Sequence, residues 1–505
     1  MKKWIRRLIT CALLSALTAT SASAALPYVG YSYNAWDEAV PAPIGYEPET
    51  VYIGQQLSDK TLKNPSDIFV DDNGIVYLSD TGNNRILILD PDLTLTSVLD
   101  TITFSNGTTE PLNKPSGLHV DGEGRIFVAQ PDTGAPLQES SLEADGRVLM
   151  LDQTGQVLSV FTKPDTDLIP TNIAFKPSRV LVNQLGTVFV IVDNLYLGAI
   201  TYNMEGEFLT FYGANKVDVT LELLADYFWK QIMSQDQINS MARYVPTQYT
   251  SFDVDDDNFI YTCTKNVSNS LNEIKKLNAQ GVDVLLAAEH NVSSSTGNYG
   301  DLERGWFMGN TTDTQFTDIY VSKEGMIFGL DAARGRVFEY DQEGRLLNIF
   351  GSSGYQAGSF QTPCAIEGYD GKVYVLDSTK NTLTVFEPTT YGALIEEATQ
   401  LYNDGRYQEA RTIWKQVLEY NVNCELAYTG IGKALYESGE YQEAMVYLEL
   451  GYDREAYSQA FSDYRMEVLR KYAPYVLTGT LVLILVIWIW RRIARYLSCR
   501  KEANK

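Results

Sequence analysis

Few residues in this chain are equipped for side-chain chemistry, and each can be weighed singly. Of its two histidines, His119 lies inside the strand-like run Leu118-His119-Val120 and reads as structural. His290, in Ala288-Glu289-His290-Asn291, has no second histidine at metal-ligand spacing. No HExxH, GxSxG, P-loop or GxGxxG pattern stands in a suitable context, which disfavours zinc chemistry and a Ser-His-Asp triad. The acidic cluster Asp253, Asp255, Asp256 and Asp257 is the best cation candidate. It lacks the Gly and the distant Glu of an EF-hand loop, and the equivalent turns elsewhere carry Asp71-Asp72, Asp121 and Lys323-Glu324, so a structural turn is favoured over calcium. Asp80, Asp193, Asp331 and Asp377 share one repeat position and are expected to accept backbone N–H bonds at a turn. Arg85, Arg147 and Arg336 also recur; they either pair with carboxylates of a neighbouring repeat or ring a ligand mouth. Cys263, Cys364 and Cys424 are odd in number with no close pair, which excludes a disulfide-stapled scaffold and any CxxC site. No catalytic, cofactor-binding or metal-ligating residue is therefore assigned.

These residues are carried by a repeated phrase, clearest at 65–90. There three short β-rich runs are separated by the turns Asp72-Asn73-Gly74 and Asp80-Thr81-Gly82-Asn83-Asn84. A lone three-stranded meander buries too little to be stable, so recurrence is needed. The nine-residue step from lead-in to turn recurs in Pro65 to Gly74, Pro115 to Gly124, Pro177 to Gly186, Tyr249 to Asn258 and Phe316 to Gly325; Pro363 to Gly371 is one shorter. Turns of the form Asp/Asn-x-x-Gly close four of the units, at Asp152/Gly155, Asn203/Gly206, Asn278/Gly281 and Asp341/Gly344. Six copies with irregular insertions predict a radial repeat whose sheets bury one another's faces.

The stretch Asp80-Thr81-Gly82-Asn83-Asn84-Arg85-Ile86, preceded by Pro65-x-Asp67-Ile68 and followed by Asp90, resembles the NHL-repeat signature; Asp331-x-x-Arg334-Gly335-Arg336-Val337 and Asp377-Ser378-x-x-Asn381 match it in part. The resemblance implies a mainly β fold, a six-bladed propeller over residues 49–388. It leaves function open, because propellers host enzymes, ligand binders and scaffolds alike. The run Thr50-Val51-Tyr52-Ile53-Gly54 is expected to complete the last blade and close the ring, which removes an open sheet edge. Residues 25–48, rich in Tyr and Pro, suit an extended segment. Residues 217–245 interrupt the rhythm with helical periodicity, a hairpin packed on a propeller edge or else a docking element or lid.

Beyond Pro388 the pattern turns helical. Gly405-Arg406-Tyr407-Gln408-Glu409-Ala410 recurs 34 positions later as Gly439-Glu440-Tyr441-Gln442-Glu443-Ala444, and this resembles tetratricopeptide repeats over 391–472. The segment 473–490 is apolar and flanked by Tyr and Trp, as a transmembrane helix would be. The tail 491–505 is basic. At the other end, a basic head, a short apolar core and Ala22-Ser23-Ala24 describe a signal peptide over 1–24. The positive-inside bias then places the tail in the cytoplasm and the central region outside. Of 40 Lys and Arg, four fall in the leader and six in the tail; of 64 Asp and Glu only Glu502 lies outside the central region, which therefore carries about −33 and repels nucleic acid and anionic lipid.

This order resembles NHL-repeat surface proteins of Gram-positive bacteria. The resemblance implies a membrane-anchored, extracytoplasmic binding or scaffold protein, not an enzyme, with no cofactor, no nucleic-acid partner, and other membrane or envelope proteins as partners, accessory to an envelope or carbohydrate-transport complex. The alternatives are a calcium-dependent hydrolase resembling the gluconolactonases, whose calcium is held by Glu, Asn and Asp in the central channel, and a glycan- or peptide-binding module. The gluconolactonase ligand pattern cannot be placed on this sequence residue by residue.

Overall fold

The computed structural model describes residues 28–36, 38–134, 145–169, 173–213, 248–264, 273–285, 299–301 and 314–503, with side chains through 495. The expected signal peptide, the helical insertion at 217–245 and His290 lie outside these residues.

Six antiparallel sheets form the body. In each, the second strand from the axis is largely apolar and almost wholly buried, as in Val188–Val192 and Ile126–Gln130, because neighbouring sheets cover both of its faces. The outermost strands, such as Leu95–Leu99 and Phe208–Tyr212, carry exposed residues. Apolar side chains therefore gather between blades: Ile86, Ile88 and Leu99 of blade 1 pack with Val128, Leu149 and Leu151 of blade 2, and Phe127, Met150 and Phe161 of blade 2 with Val188, Val190 and Ile200 of blade 3. The inner strands are Asp67–Val70, Leu118–Val120, Pro177–Val182, Tyr249–Val254, Phe316–Val321 and Pro363–Tyr369. They touch in that order, and the last touches the first. The chain is a six-bladed β-propeller, four strands to a blade except the fourth, where three are described.

Ring closure follows the expected route with a longer strand. Tyr46–Ile53 pairs antiparallel with Thr382–Pro388, from Ile53 opposite Thr382 to Tyr46 opposite Pro388. Tyr46 anchors this strand. Its ring stacks on Phe350 at 4.6 Å and meets Phe328 edge-on at 5.9 Å, and its carbonyl accepts the Tyr28 hydroxyl at 2.8 Å. Ahead of it, Tyr31–Tyr33 and Ala39–Pro41 form a small hairpin, so the aromatic and proline-rich segment is a paired ribbon over part of its length.

The second unit of the chain, from Ala393 onward, is helical. Helices Tyr407–Tyr420, Glu425–Glu437 and Tyr441–Leu450 pack in sequence around Ala410, Ala427, Ile431, Ala434, Ala444 and Leu448. Small residues let the axes approach. A Cβ on Gly432 would sit 2.6 Å from Leu448 Cγ and 3.0 Å from the Leu448 nitrogen. The rings of Tyr402 and Tyr407 lie 5.3 Å apart, and those of Tyr436 and Tyr441, 34 positions later, 5.5 Å apart. One uninterrupted helix, Arg454–Ala503, then runs through Pro474. Its portion Arg454–Arg495 is long and apolar enough to cross a membrane, with mean hydropathy 2.0 over its most apolar window and none of that window buried. The segment expected to span, 473–490, lies within it.

Candidate functional site

A two-residue lead-in precedes or opens each inner strand, and its second member is small and polar: Ser66, Ser116, Ser178, Thr250, Thr317 and Cys364. In blades 3 to 6 the pairing register shifts at this residue; such a bulge re-aims the side chains that follow it. These small polar groups bond sideways. Ser66 Oγ donates to the Ser116 carbonyl at 3.1 Å, Thr250 Oγ1 to the Phe316 carbonyl at 2.9 Å, and Cys364 Sγ to the Pro65 carbonyl at 3.3 Å. Cys364 thus does a hydroxyl's work at the seam between the last blade and the first. Cys263 bonds Thr250 at 3.2 Å, and burial pushes its thiol up to about 12, so it stays protonated and unreactive.

The next inward position holds Asp67, Gly117, Arg179, Ser251, Asp318 and Ala365, and the one two residues further on holds Phe69, His119, Leu181, Asp253, Tyr320 and Glu367. Four carboxylic acids and one guanidinium therefore share the propeller axis. Arg179 reaches across it from blade 3. Its Nη1 lies 3.1 Å from Asp67 Oδ1 and 3.2 Å from the Ser66 carbonyl, both in blade 1; its Nη2 donates to the Cys364 carbonyl of blade 6 at 2.9 Å. Its Nε is buried without an acceptor. The carboxylates also staple blades. Asp67 Oδ2 accepts the Leu118 N–H of blade 2 at 2.7 Å, Asp253 Oδ2 the Val321 N–H of blade 5 at 2.7 Å, and Asp318 Oδ2 the Ile366 N–H of blade 6 at 2.8 Å.

Enclosure dominates the titration of these groups. Burial pushes Asp67 up to about 7, against the pull of Arg179. It pushes Asp253 up to about 7 as well, against bonds from Val321 and Val254. Asp318 is raised by burial, with Arg179 opposing, and Glu367 is raised well above its ordinary value by burial and by Asp253. Burial also works against the charge of Arg179, but Asp67 and Asp318 outweigh it and hold the guanidinium charged. His119 is pressed edge-on against Phe69 at 4.7 Å; burial lowers it to about 4, so it is neutral and structural, as its strand position implied.

The other sequence-level candidates sort differently. The acidic cluster splits: Asp255 Oδ1 caps the turn, accepting from Asp257 and Phe259 nitrogens at 3.0 and 2.8 Å, whereas Asp253 is no turn residue and faces the axis. Asp331 and Asp377 accept turn N–H bonds, from Ala333 and Arg334 and from Thr379 and Lys380. Asp80 instead bonds the side chains of Asn83 and Arg85 in its turn. All three also take an N–H from the segment ahead of the inner strand, of Lys63, Gln315 and Gln361. Asp193 departs from them: it is exposed, and Gln248 takes the Asn194 N–H at 3.0 Å. Arg85 pairs at 2.7 Å with Asp80 of its own blade, not of a neighbour. Arg147 meets Gln130 of its own blade at 2.8 Å and, at 3.0 Å, Glu110 of the hairpin that pairs Thr101–Thr103 with Thr109–Pro111. Arg336 bonds Asp301, which also takes Arg334 Nη1 at 2.5 Å and the hydroxyls of Tyr31 and Tyr33 at 2.5 and 2.9 Å. That knot ties the N-terminal hairpin to blade 5. None of the three arginines lines the axis.

Residues 59–182 match the family described as SMP-30/gluconolactonase/LRE-like region. The match covers blade 1, blade 2 and the inner strand of blade 3. No curated protein matches the chain. Among solved structures, virginiamycin B lyase from Staphylococcus aureus aligns at 10% identity and TM-score 0.39 over 68% of this chain and 99% of its own. A gluconolactonase from Xanthomonas campestris aligns at 12% identity and TM-score 0.39 over 70% and 99%. Regucalcin from Agrobacterium tumefaciens, titled a calcium-binding protein, aligns at 11% and 0.38 over 69% and 95%.

A channel metal of the gluconolactonase kind can be tested against the residues present. Among the described residues no three His, Cys, Asp or Glu side chains are placed to hold a metal ion, and a guanidinium sits between the inner carboxylates. With that guanidinium in place, the donors around the axis do not fit the ion.

Proposed function

We propose that this chain is a single-pass membrane-anchored binding protein whose propeller and tetratricopeptide-type helices engage other membrane or envelope proteins, as an accessory to an envelope or carbohydrate-transport complex. In this reading residues 1–24 are a cleaved leader, the propeller faces away from the cytoplasm and the basic tail faces it. The observation that carries the non-catalytic part is the use to which the axial carboxylates are put: Asp67, Asp253 and Asp318 each accept the backbone N–H of the following blade. Groups spent on main-chain bonds in a low-dielectric interior hold the ring together and are poorly placed to exchange protons with a substrate. The test is affinity purification of the full-length chain from crosslinked, detergent-solubilised membranes. A stoichiometric envelope protein is expected, and recovery of the chain alone would count against the proposal.

A second reading, a lactonase-like hydrolase, draws on the family match over 59–182. It requires lactone-opening activity that falls at least tenfold in Asp253→Asn. Equal rates in the two proteins would exclude axial catalysis.

A further inference from the structure

The oxygens around Arg179 are of the kind a hard cation selects. One carboxylate oxygen, Asp67 Oδ1, lies 3.1 Å from Nη1; two main-chain carbonyls, of Ser66 and Cys364, lie 3.2 and 2.9 Å from the guanidinium nitrogens. Calcium is held by such a mixture of carboxylate and backbone oxygens, and Asp318 adds a second carboxylate close enough to raise the basicity of Arg179. The guanidinium bonds oxygens of blades 1 and 6 and leaves its Nε with no acceptor, the signature of a side chain placed by its two terminal nitrogens. A delocalised, permanently charged fork suits this position better than an ammonium, since it bonds two partners in fixed directions.

We infer that Arg179 is the resident cation of the propeller axis. It stands on the ligands that a divalent ion would otherwise use, so this axis works without metal. The metal-dependent chemistry implied by the chain's gluconolactonase-like region is then lost through a residue of its own. This inference is independent of the binding role proposed above: a chain that finds no partner leaves it intact.

Calcium titration of the detergent-solubilised full-length chain tests it, read by isothermal titration calorimetry and by thermal midpoint, with wild type, Arg179→Met and Arg179→Met/Asp67→Asn compared. Wild type is expected to show no saturable calcium binding at the axis. Arg179→Met is expected to gain it, with a midpoint that rises with calcium concentration as mass action requires, and the double variant is expected to lose that gain. Saturable calcium binding by wild type that disappears in Asp67→Asn would overturn the inference, and this arm stands even if Arg179→Met fails to fold. A folded Arg179→Met that ignores millimolar calcium would overturn it equally.

Discussion

A carboxylic acid enclosed by protein keeps its proton more readily than one in water, and four such acids around one axis make the fold sensitive to pH. With Asp67 and Asp253 pushed up to about 7, the folded chain binds protons that the unfolded chain has already released. Stability from these groups is therefore complete below the ordinary carboxylate range and lost as pH rises through about 7. Asp301 acts in the opposite sense. Burial resists its charge, but Arg336, Arg334 and two tyrosine hydroxyls hold it below its usual value, so its contribution is lost only on strong acidification. The thermal midpoint should fall between about pH 6 and about pH 8. Asp253→Asn, which keeps an acceptor for the Val321 N–H but cannot titrate, should flatten that slope. A midpoint that rises across the interval would refute the assignment. The turn roles of Asp331 and Asp377 were legible in sequence because one residue type recurs at one position, although Asp193 at the same position is exposed. The axial groups were hidden by the opposite circumstance: their repeat position reads Asp67, Gly117, Arg179, Ser251, Asp318, Ala365, six blades with little in common. Polar residues in the middle of otherwise apolar inner strands were the available signal.

At the scale of the element, the blades are held in register by short turns, most of which use one device, an Asp or Asn side-chain oxygen that accepts the N–H groups two and four residues on. In the turn before Leu346–Phe350, Asp341 Oδ1 accepts the Glu343 and Arg345 N–H groups at 3.0 and 2.8 Å, while Oδ2 takes Arg345 Nε at 2.6 Å. Asp341→Ala strands part-buried donors and should cost about 1–2 kcal/mol, read from the urea midpoint, whereas Asp341→Asn retains the Oδ1 bonds and should cost less. Equal costs would mean that the Arg345 pair, not the turn, is what matters. In the helical unit, Gly432→Val should force the Glu425–Glu437 and Tyr441–Leu450 helices apart at a cost of about 1–3 kcal/mol, visible as an earlier loss of helical circular dichroism on heating. Periodicity made these helices readable, because small residues recur where axes cross. The bulges at the start of the inner strands carried no comparable mark, since a bulge is set by the pairing partner and not by the bulged residue alone.

For the whole molecule, the decisive contact is the one between the two ends of the propeller sequence. Tyr46 is buried to 1% exposure against Phe328 and Phe350. Tyr46→Ala should remove about 3–5 kcal/mol and loosen the closing strand first, so that limited proteolysis cuts near residue 50 well before the blades are digested. Simultaneous digestion of all blades would show that closure and blade packing are one cooperative unit. The closing strand was foreseen from its β-rich run and from the need to cover an edge, though its start at Tyr46 was not, because Pro48 makes that stretch read as extended linker.

The pairing of Tyr46–Ile53 with Thr382–Pro388 also fixes an order of events during synthesis. A chain made from its N-terminus exposes the closing strand first, yet its partner is translated last among the propeller's strands. Until then the strand must wait unpaired while five other sheets assemble, and pairings of such wide sequence separation form slowly. A translating ribosome that stalls late in the propeller would therefore hold a nearly complete ring with one sheet edge still open to self-association.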